Sequence, residues 1–326
     1  MTNHLKRIEN FKITNIRSIC IVLVVLAHLI IIYNGSWDIY KSNRTSSLFM
    51  ILCNFIYIFH MPLFFSVSGF LAHNSYKKTS STLSFIKKKA IRLMIPFLII
   101  GFLYMIPIRY LVKYPPFQAI SPFKIVLNFL LGIDAGHLWF LPSLFIIFIL
   151  HYILVKQCSS QRLLTIIVVF LSIVGYFAPT YIGSALTNLI WFHLGYLINY
   201  QHLEKKKGGD YLLMLCIIAS LGVAFYALGY NCILLRYVAK YIASVAIILL
   251  IYSIIPNKKN KIMQFFALYS FGIYLFHSPL IYISFSFLPN IHPMLMLFIN
   301  FVLFGSVAIL LTKIIKKVGL KRVIGE

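Results

Sequence analysis

The sequence predicts an all-α, polytopic integral membrane bundle of about ten transmembrane helices, and three observations carry that prediction. Ten long apolar stretches run through the 326-residue chain. They are continuous apolar runs rather than alternating ones, which selects helices over strands. The basic residues between them fall mostly on alternate connections. Composition agrees: 61% of residues are hydrophobic and only 11% charged, against roughly 25% charged in a soluble domain, and the mean hydropathy is +0.90. In lipid, only helices or a closed barrel can satisfy the backbone.

A span takes about 20 mostly apolar residues. The first is expected near residues 16–33; it is long enough to cross and lacks a small-residue cleavage site, so it reads as a retained helix rather than a cleaved signal. The second, near 48–72, holds Pro62 and Gly69, which loosen it, and Ser66 and Ser68. Between the second and third spans lies SYKKTSSTLSFIKKKAIR, polar and then basic, which fits a short amphipathic helix on the membrane surface. The third span, near 91–112, leads into KYPPFQAISPFK, a loop by its three prolines, and then into a short interfacial helix near 123–131. The remaining spans are expected near 138–155, 163–178, 184–199, 211–228, 237–255, 262–285 and 293–315. Several are short, so the count is approximate. Trp37, Tyr40, Trp139 and Tyr181 lie near expected interfaces, where aromatic belting is the ordinary explanation.

The formal charge of +24 suggests a nucleic-acid binder until its distribution is read. With the N-terminus in the cytoplasm, 23 of the 30 Lys and Arg fall on the inner side, among them Lys6, Arg7, Arg17, Lys87–Lys89, Arg92, Lys205–Lys207 and Arg322. This is the positive-inside pattern with both termini cytoplasmic. Orientation and anionic membrane lipids account for most of these charges, and no nucleic-acid partner is expected. The five cysteines are scattered without a CxxC pair, so buried apolar thiols are expected rather than disulfides. No soluble domain is foreseen; residues 1–326 read as one membrane domain with spans over about 14–315, in the cytoplasmic membrane.

The chemistry points to the first two spans. Arg17 and His28 stand eleven residues apart, so they share a helix face within about 20° and are separated by roughly 16 Å along the axis. Arg17 sits at the cytoplasmic edge and His28 near mid-membrane, where ionisable groups usually face a cavity or a partner. His60, near the middle of the antiparallel second span, should reach comparable depth. Two histidines at one level point to a shared cavity.

At these residues the sequence resembles a family. The Arg17-x10-His28 pattern, FHMPLFFSVSGFL (59–71), RLMIP (92–96), HLWFLPSLF (137–145), FHLGYL (192–197) and YSFGIYLFHSPL (269–280) occur in the order found in the membrane-bound acyltransferase family 3. The resemblance implies about ten membrane helices and transfer of an acyl group, commonly acetyl, from cytosolic acyl-CoA to a hydroxyl, usually on a cell-envelope sugar or polysaccharide. Carried over, the family's Arg-x10-His signature falls on Arg17 and His28, and its basic residue at the start of the third helix on Arg92. Many members carry an acidic residue three positions before the arginine; here that position is Thr14. An orienting role for that carboxylate is therefore absent or taken over elsewhere.

The mechanism expected from these residues has acyl-CoA as co-substrate, with no bound cofactor. Its phosphates meet Arg17 and Arg92, because a guanidinium makes paired, always-charged hydrogen bonds. His28 acts as general base on the acceptor hydroxyl. His60 positions the acceptor, polarises the carbonyl or shares the proton work. A covalent acyl-histidine step stays open. His137 and Trp139 offer an acceptor-binding surface, or else an interfacial belt. His193 and His277 line the same cavity or bond to backbone carbonyls, while His151 and His292 read as structural. Asp134 is the acidic residue to consider for a His–Asp dyad. No histidine, cysteine or carboxylate cluster has metal-ligand spacing, so no metal is expected. Two other classes stay open, a transporter or flippase and a polymerase, each acting on lipid-linked glycans.

Overall fold

A computed structural model describes residues 10–34, 39–40, 42–79, 81–203, 208–228 and 232–326. Lys6, Arg7, Trp37 and Lys205–Lys207 lie outside the described residues. Eleven helices carry the described chain: α1 Phe11–Tyr33, α2 Ser47–Lys77, α3 Thr82–Leu111, α4 Pro122–Leu131, α5 Phe140–Gln157, α6 Gln161–Val174, α7 Thr180–Tyr200, α8 Gly209–Leu228, α9 Ile233–Ile254, α10 Lys261–Phe287 and α11 Pro293–Lys317. Seven of them start at a side-chain cap, where Asn10, Ser46, Ser81, Ser121, Ser160, Asn260 or His292 accepts from a first-turn N–H. Such caps satisfy donors that the helix itself cannot.

The chain is a multi-pass membrane protein. Among the described residues, eight helical segments are long and apolar enough to cross, with 122–157 counted as one. Two of the ten expected spans, near 163–178 and 184–199, are helical but fall outside that set, and the reasons are physical. The helix over Gln161–Phe177 is short, and α7 carries Ser184, Thr187, Asn188, His193 and Asn199 along its length. The basic run expected as a separate surface helix is instead the first turns of α3. Tyr40 and Tyr181 are interior packing residues, not belt residues: Tyr40 is buried and accepts from Ser286, and Tyr181 Oη donates to Phe129 O at 2.6 Å. Cys20 and Cys53 are buried thiols as expected, whereas Cys216 and Cys232 are exposed, and all five are free.

Helix α1 lies between α10 and α2; α2 packs on α7, and α9 lies against both α2 and α8. At one end, Lys12 N donates to Asn257 Oδ1 at 3.0 Å and Asn15 Nδ2 to Lys258 O at 3.1 Å. The start of α1 is thereby tied to the end of α9, at the end of the bundle that carries Arg17. Gly69 does not loosen α2. It brings α2 onto α7: a Cβ at Gly69 would fall 1.8 Å from Phe192 O, and one at Gly195 would fall 1.8 Å from Ser66 O. This reciprocal contact is the small-residue packing of membrane helices.

Two prolines inside the helices free carbonyls that neighbours then satisfy. Pro62 cannot bond to Ile58 O, and Ser244 Oγ of α9 lies 2.8 Å from that oxygen. Pro279 cannot bond to Leu275 O, and His137 Nε2 lies 3.1 Å from it. Neighbouring side chains commonly make proline tolerable in a membrane helix in this way. Here they also fix where the polar residues of the site must stand.

The glycine contact yields a prediction. Gly195→Leu should cost roughly 1–3 kcal/mol by overpacking, read as a lower midpoint for thermal aggregation in detergent. Gly305→Leu, at a site where a Cβ meets nothing, should leave that midpoint nearly unchanged.

Candidate active site

The site begins with a hydrogen bond between two histidines. His28 Nδ1 on α1 lies 2.8 Å from His277 Nε2 on α10, with the rings nearly parallel. His277 Nδ1 lies 2.8 Å from Ile273 O and 2.9 Å from Tyr274 O. Carbonyl oxygens only accept, so His277 Nδ1 carries the proton and Nε2 a lone pair. His28 must then donate from Nδ1, which leaves the lone pair of the neutral ring on His28 Nε2. Among the described residues that nitrogen has no hydrogen-bond partner. His28 lies five residues, about 8 Å, from the end of α1 remote from Arg17.

His28 stands where two cavities meet. One, of about 240 Å³, is lined by His28, Tyr57, Arg109, Asp134, His137, Trp139 and Tyr282, among others. The second, of about 400 Å³, is lined by His28, Tyr57, His60, Trp139, Asn188, Trp191, Lys240 and Tyr241, among others. His28, Tyr57 and Trp139 belong to both. Neither the Tyr57 hydroxyl nor the Trp139 indole N–H has a hydrogen-bond partner among the described residues, and both residues line the cavities that His28 lines. His60 shares the larger cavity with His28, and its Nδ1 lies 2.9 Å from Ile56 O. By the same reasoning His60 Nε2 is an acceptor. A neutral His60 can receive a hydroxyl proton in a hydrogen bond but cannot polarise a carbonyl.

His137 is buried rather than interfacial, with its ring edge-on to His277. Its Nε2 is used on Leu275 O, and Tyr274 Oη donates to its backbone carbonyl at 2.6 Å. Its Nδ1 is buried without a partner among the described residues. Beside it, Arg109 of α3 is wholly buried. It donates to Asp134 Oδ1 and to Tyr282 Oη, each at 2.9 Å, and its guanidinium lies 4.4 Å from the Tyr114 ring centre. Asp134 therefore serves an arginine and not a histidine. Burial pushes the Tyr114 hydroxyl up from its ordinary range, against the opposing pull of Arg109. Gly136, at φ +50°, makes room for this cation: a Cβ there would fall 2.2 Å from the guanidinium.

Arg17 and His28 share the face that meets α10. Arg17 donates to Ser270 Oγ at 3.0 Å and to Ala267 O at 3.3 Å. The orienting task that an acid at position 14 would perform falls to α10. Arg92 is near enough for its charge to repel that of Arg17, and the C-terminal turn at Gly325 packs against its backbone. Lys89, one turn before Arg92, lies over the Phe148 ring at 3.4 Å. Cations are thus gathered at the end of the bundle opposite His28.

His193 does not join His277. It belongs to a second chain, in which Tyr76 Oη lies 3.2 Å from His151 Nδ1, His151 Nε2 3.0 Å from His193 Nδ1, and His193 Nε2 3.0 Å from Thr165 Oγ1. His292 caps α11, its Nδ1 accepting from Met294 N. Among the described residues no three His, Cys, Asp or Glu side chains form a metal-binding group.

Comparison with known proteins places these features. The acyltransferase domain of acyltransferase family 3 matches residues 10–316. The chain belongs to that family. It is also similar to the nodulation protein NolL of Sinorhizobium fredii (strain NBRC 101917 / NGR234), 35% identical over 85 residues, which is 26% of this chain. The matched segment spans only about a fifth, 21%, of that relative's length. No solved structure matches. The domain that defines the family is an acyltransferase domain.

Sequence reasoning named His28, Arg17, His60, Arg92, His137 and Trp139, but assigned no role to Arg109, Tyr57 or the His28–His277 pairing. The signal for Arg109 and Asp134 was present as opposite charges flanking a proline-rich loop. The buried ion pair gives a prediction. Asp134→Asn should destabilise the protein by on the order of 3 kcal/mol, because it strands a buried cation, while Asp134→Leu with Arg109→Met should recover much of the loss. Thermal aggregation of the solubilised protein would measure both.

Proposed function

We propose that the enzyme takes an acyl group, acetyl by the family's common habit, from cytosolic acyl-CoA and esterifies a hydroxyl of a cell-envelope carbohydrate. What carries this reading is the His28 Nε2 lone pair, held by the His28–His277 bond at the junction of two cavities. The phosphates of acyl-CoA bind at the Arg17 and Arg92 end. The span from Arg17 to His28, roughly 16 Å along α1, suits the extended pantetheine arm. On this reading the donor end faces the cytoplasm and the protein sits in the cytoplasmic membrane, which the positive-inside distribution of its charges supports.

In the reaction, His28 Nε2 takes the proton from the acceptor hydroxyl as its oxygen attacks the thioester carbon. The carbonyl oxygen gains charge, and the Tyr57 O–H and Trp139 N–H are the donors placed to receive it. The C–S bond then breaks, and the imidazolium returns its proton to the thiolate. His60 Nε2 accepts from the acceptor and aims it, and His137 closes the wall behind. His277 keeps His28 in the tautomer the chemistry needs, the task a carboxylate performs in other triads.

His28→Ala should abolish ester formation by purified protein while acetyl-CoA binding, followed by calorimetry, persists. Full turnover in a well-inserted His28→Ala protein would refute the assignment. His277→Ala should lower kcat by about 10²-fold with little change in the KM for acetyl-CoA. A pure KM effect would instead make His277 a binding residue.

A further inference from the structure

Lys240 is a cation in the larger cavity that the reaction above does not use. It lies on α9, half-buried, on a wall shared with His28 and His60. No carboxylate is among the residues lining that cavity, and no hydrogen bond or ion pair engages the Lys240 ammonium among the described residues. Arg236, one turn earlier on α9, reinforces the positive charge. An ammonium inside a membrane bundle is costly and normally has a partner.

The rest of the cavity is suited to a sugar. Trp191 and Tyr241 stack at 4.9 Å and 18°, giving an aromatic wall on which the apolar face of a pyranose ring can lie. Asn188 Nδ2 is used on Ser184 O at 2.8 Å, which leaves its amide oxygen to accept from a hydroxyl. Tyr176 and Tyr237 at the rim are exposed. The cavity is also remote from the donor end. The end of α9 joins the start of α1, and Lys240 lies fourteen residues before Ile254, about 21 Å along the helix. A few convergent polar groups on a mostly aromatic lining are the usual form of a small-molecule site.

We infer that the larger cavity holds the acceptor and that Lys240 selects a sugar bearing an anionic group, a carboxylate on the ring or a phosphate joined to it. This rests on the acyl-transfer reading. The anion supplies the counter-charge that the lining lacks, and the ion pair fixes which hydroxyl of the ring meets His28 Nε2. A neutral sugar stacked on the same wall would leave the ammonium unmatched.

The test uses surface glycans from cells lacking the chain and from cells complemented with wild type, Lys240→Gln or Lys240→Arg. Mass fragmentation locates the ester, and phosphorus NMR separates a phosphate-bearing acceptor from a uronic acid. The ester should sit on a residue carrying a carboxylate or joined to a phosphate. Lys240→Gln should lower ester content by about tenfold or more at equal membrane abundance, and Lys240→Arg should keep most of it. Purified Lys240→Gln should still bind acetyl-CoA. An ester on a neutral residue without an adjacent charge overturns the inference and spares the acyl-transfer reading. So does wild-type esterification by Lys240→Gln, or loss of acetyl-CoA binding by that variant. If no ester disappears on deletion, surface-glycan acylation fails and the inference with it.

Discussion

The hydrogen bond between His28 and His277 organises the site because it has a direction imposed from outside it. Two backbone carbonyls of α10 oblige His277 to carry its proton on Nδ1. That choice obliges His28 to donate from Nδ1 and to keep its lone pair on the other side of the ring. A backbone feature on one helix thus decides the protonation pattern of a base on another. The same bond joins α1 to α10 at the His28 end, as Arg17 joins them at the other through Ser270 and Ala267.

Proline places the remaining parts. Each proline deprives a carbonyl one turn earlier of its donor, and in lipid water cannot replace it. Ser244 lies against the oxygen freed by Pro62, and His137 against the one freed by Pro279. His137 is therefore drawn to His277, and α9, which carries Lys240, is held against the part of α2 that carries His60. Polar residues that look scattered in the chain gather because the same helices that need donors also form the cavities.

Much of this was legible in the sequence, and what was not has identifiable causes. Continuous apolar runs located the helices, and the interval of eleven residues placed Arg17 and His28 on one face. The family resemblance, carried by ordered short motifs, named the family to which the chain belongs. The span expected near 184–199 is α7, Thr180–Tyr200, but that its Asn, Thr and His side chains serve the interior was not legible from hydropathy. The partner of His28 was hidden because one sequence does not state which helix packs on which. His193 and His277 each lie within an apolar span, yet one joins His151 and the other His28. The role of Gly69 was misread for the same reason, since a glycine that admits a neighbouring backbone resembles one that weakens its own helix.

Choosing a histidine instead of a carboxylate behind His28 has a consequence for how charge is born in this site. A carboxylate would hold a standing negative charge against the base through the whole cycle. His277 is neutral, so when His28 takes a proton the positive charge has no resident opposite at its back. In the proposed mechanism its nearest match is the oxyanion forming in front of it. The two charges must appear together and vanish together, as a short-lived dipole. On that mechanism the base and the acyl donor act as one unit, neither bearing its charge without the other.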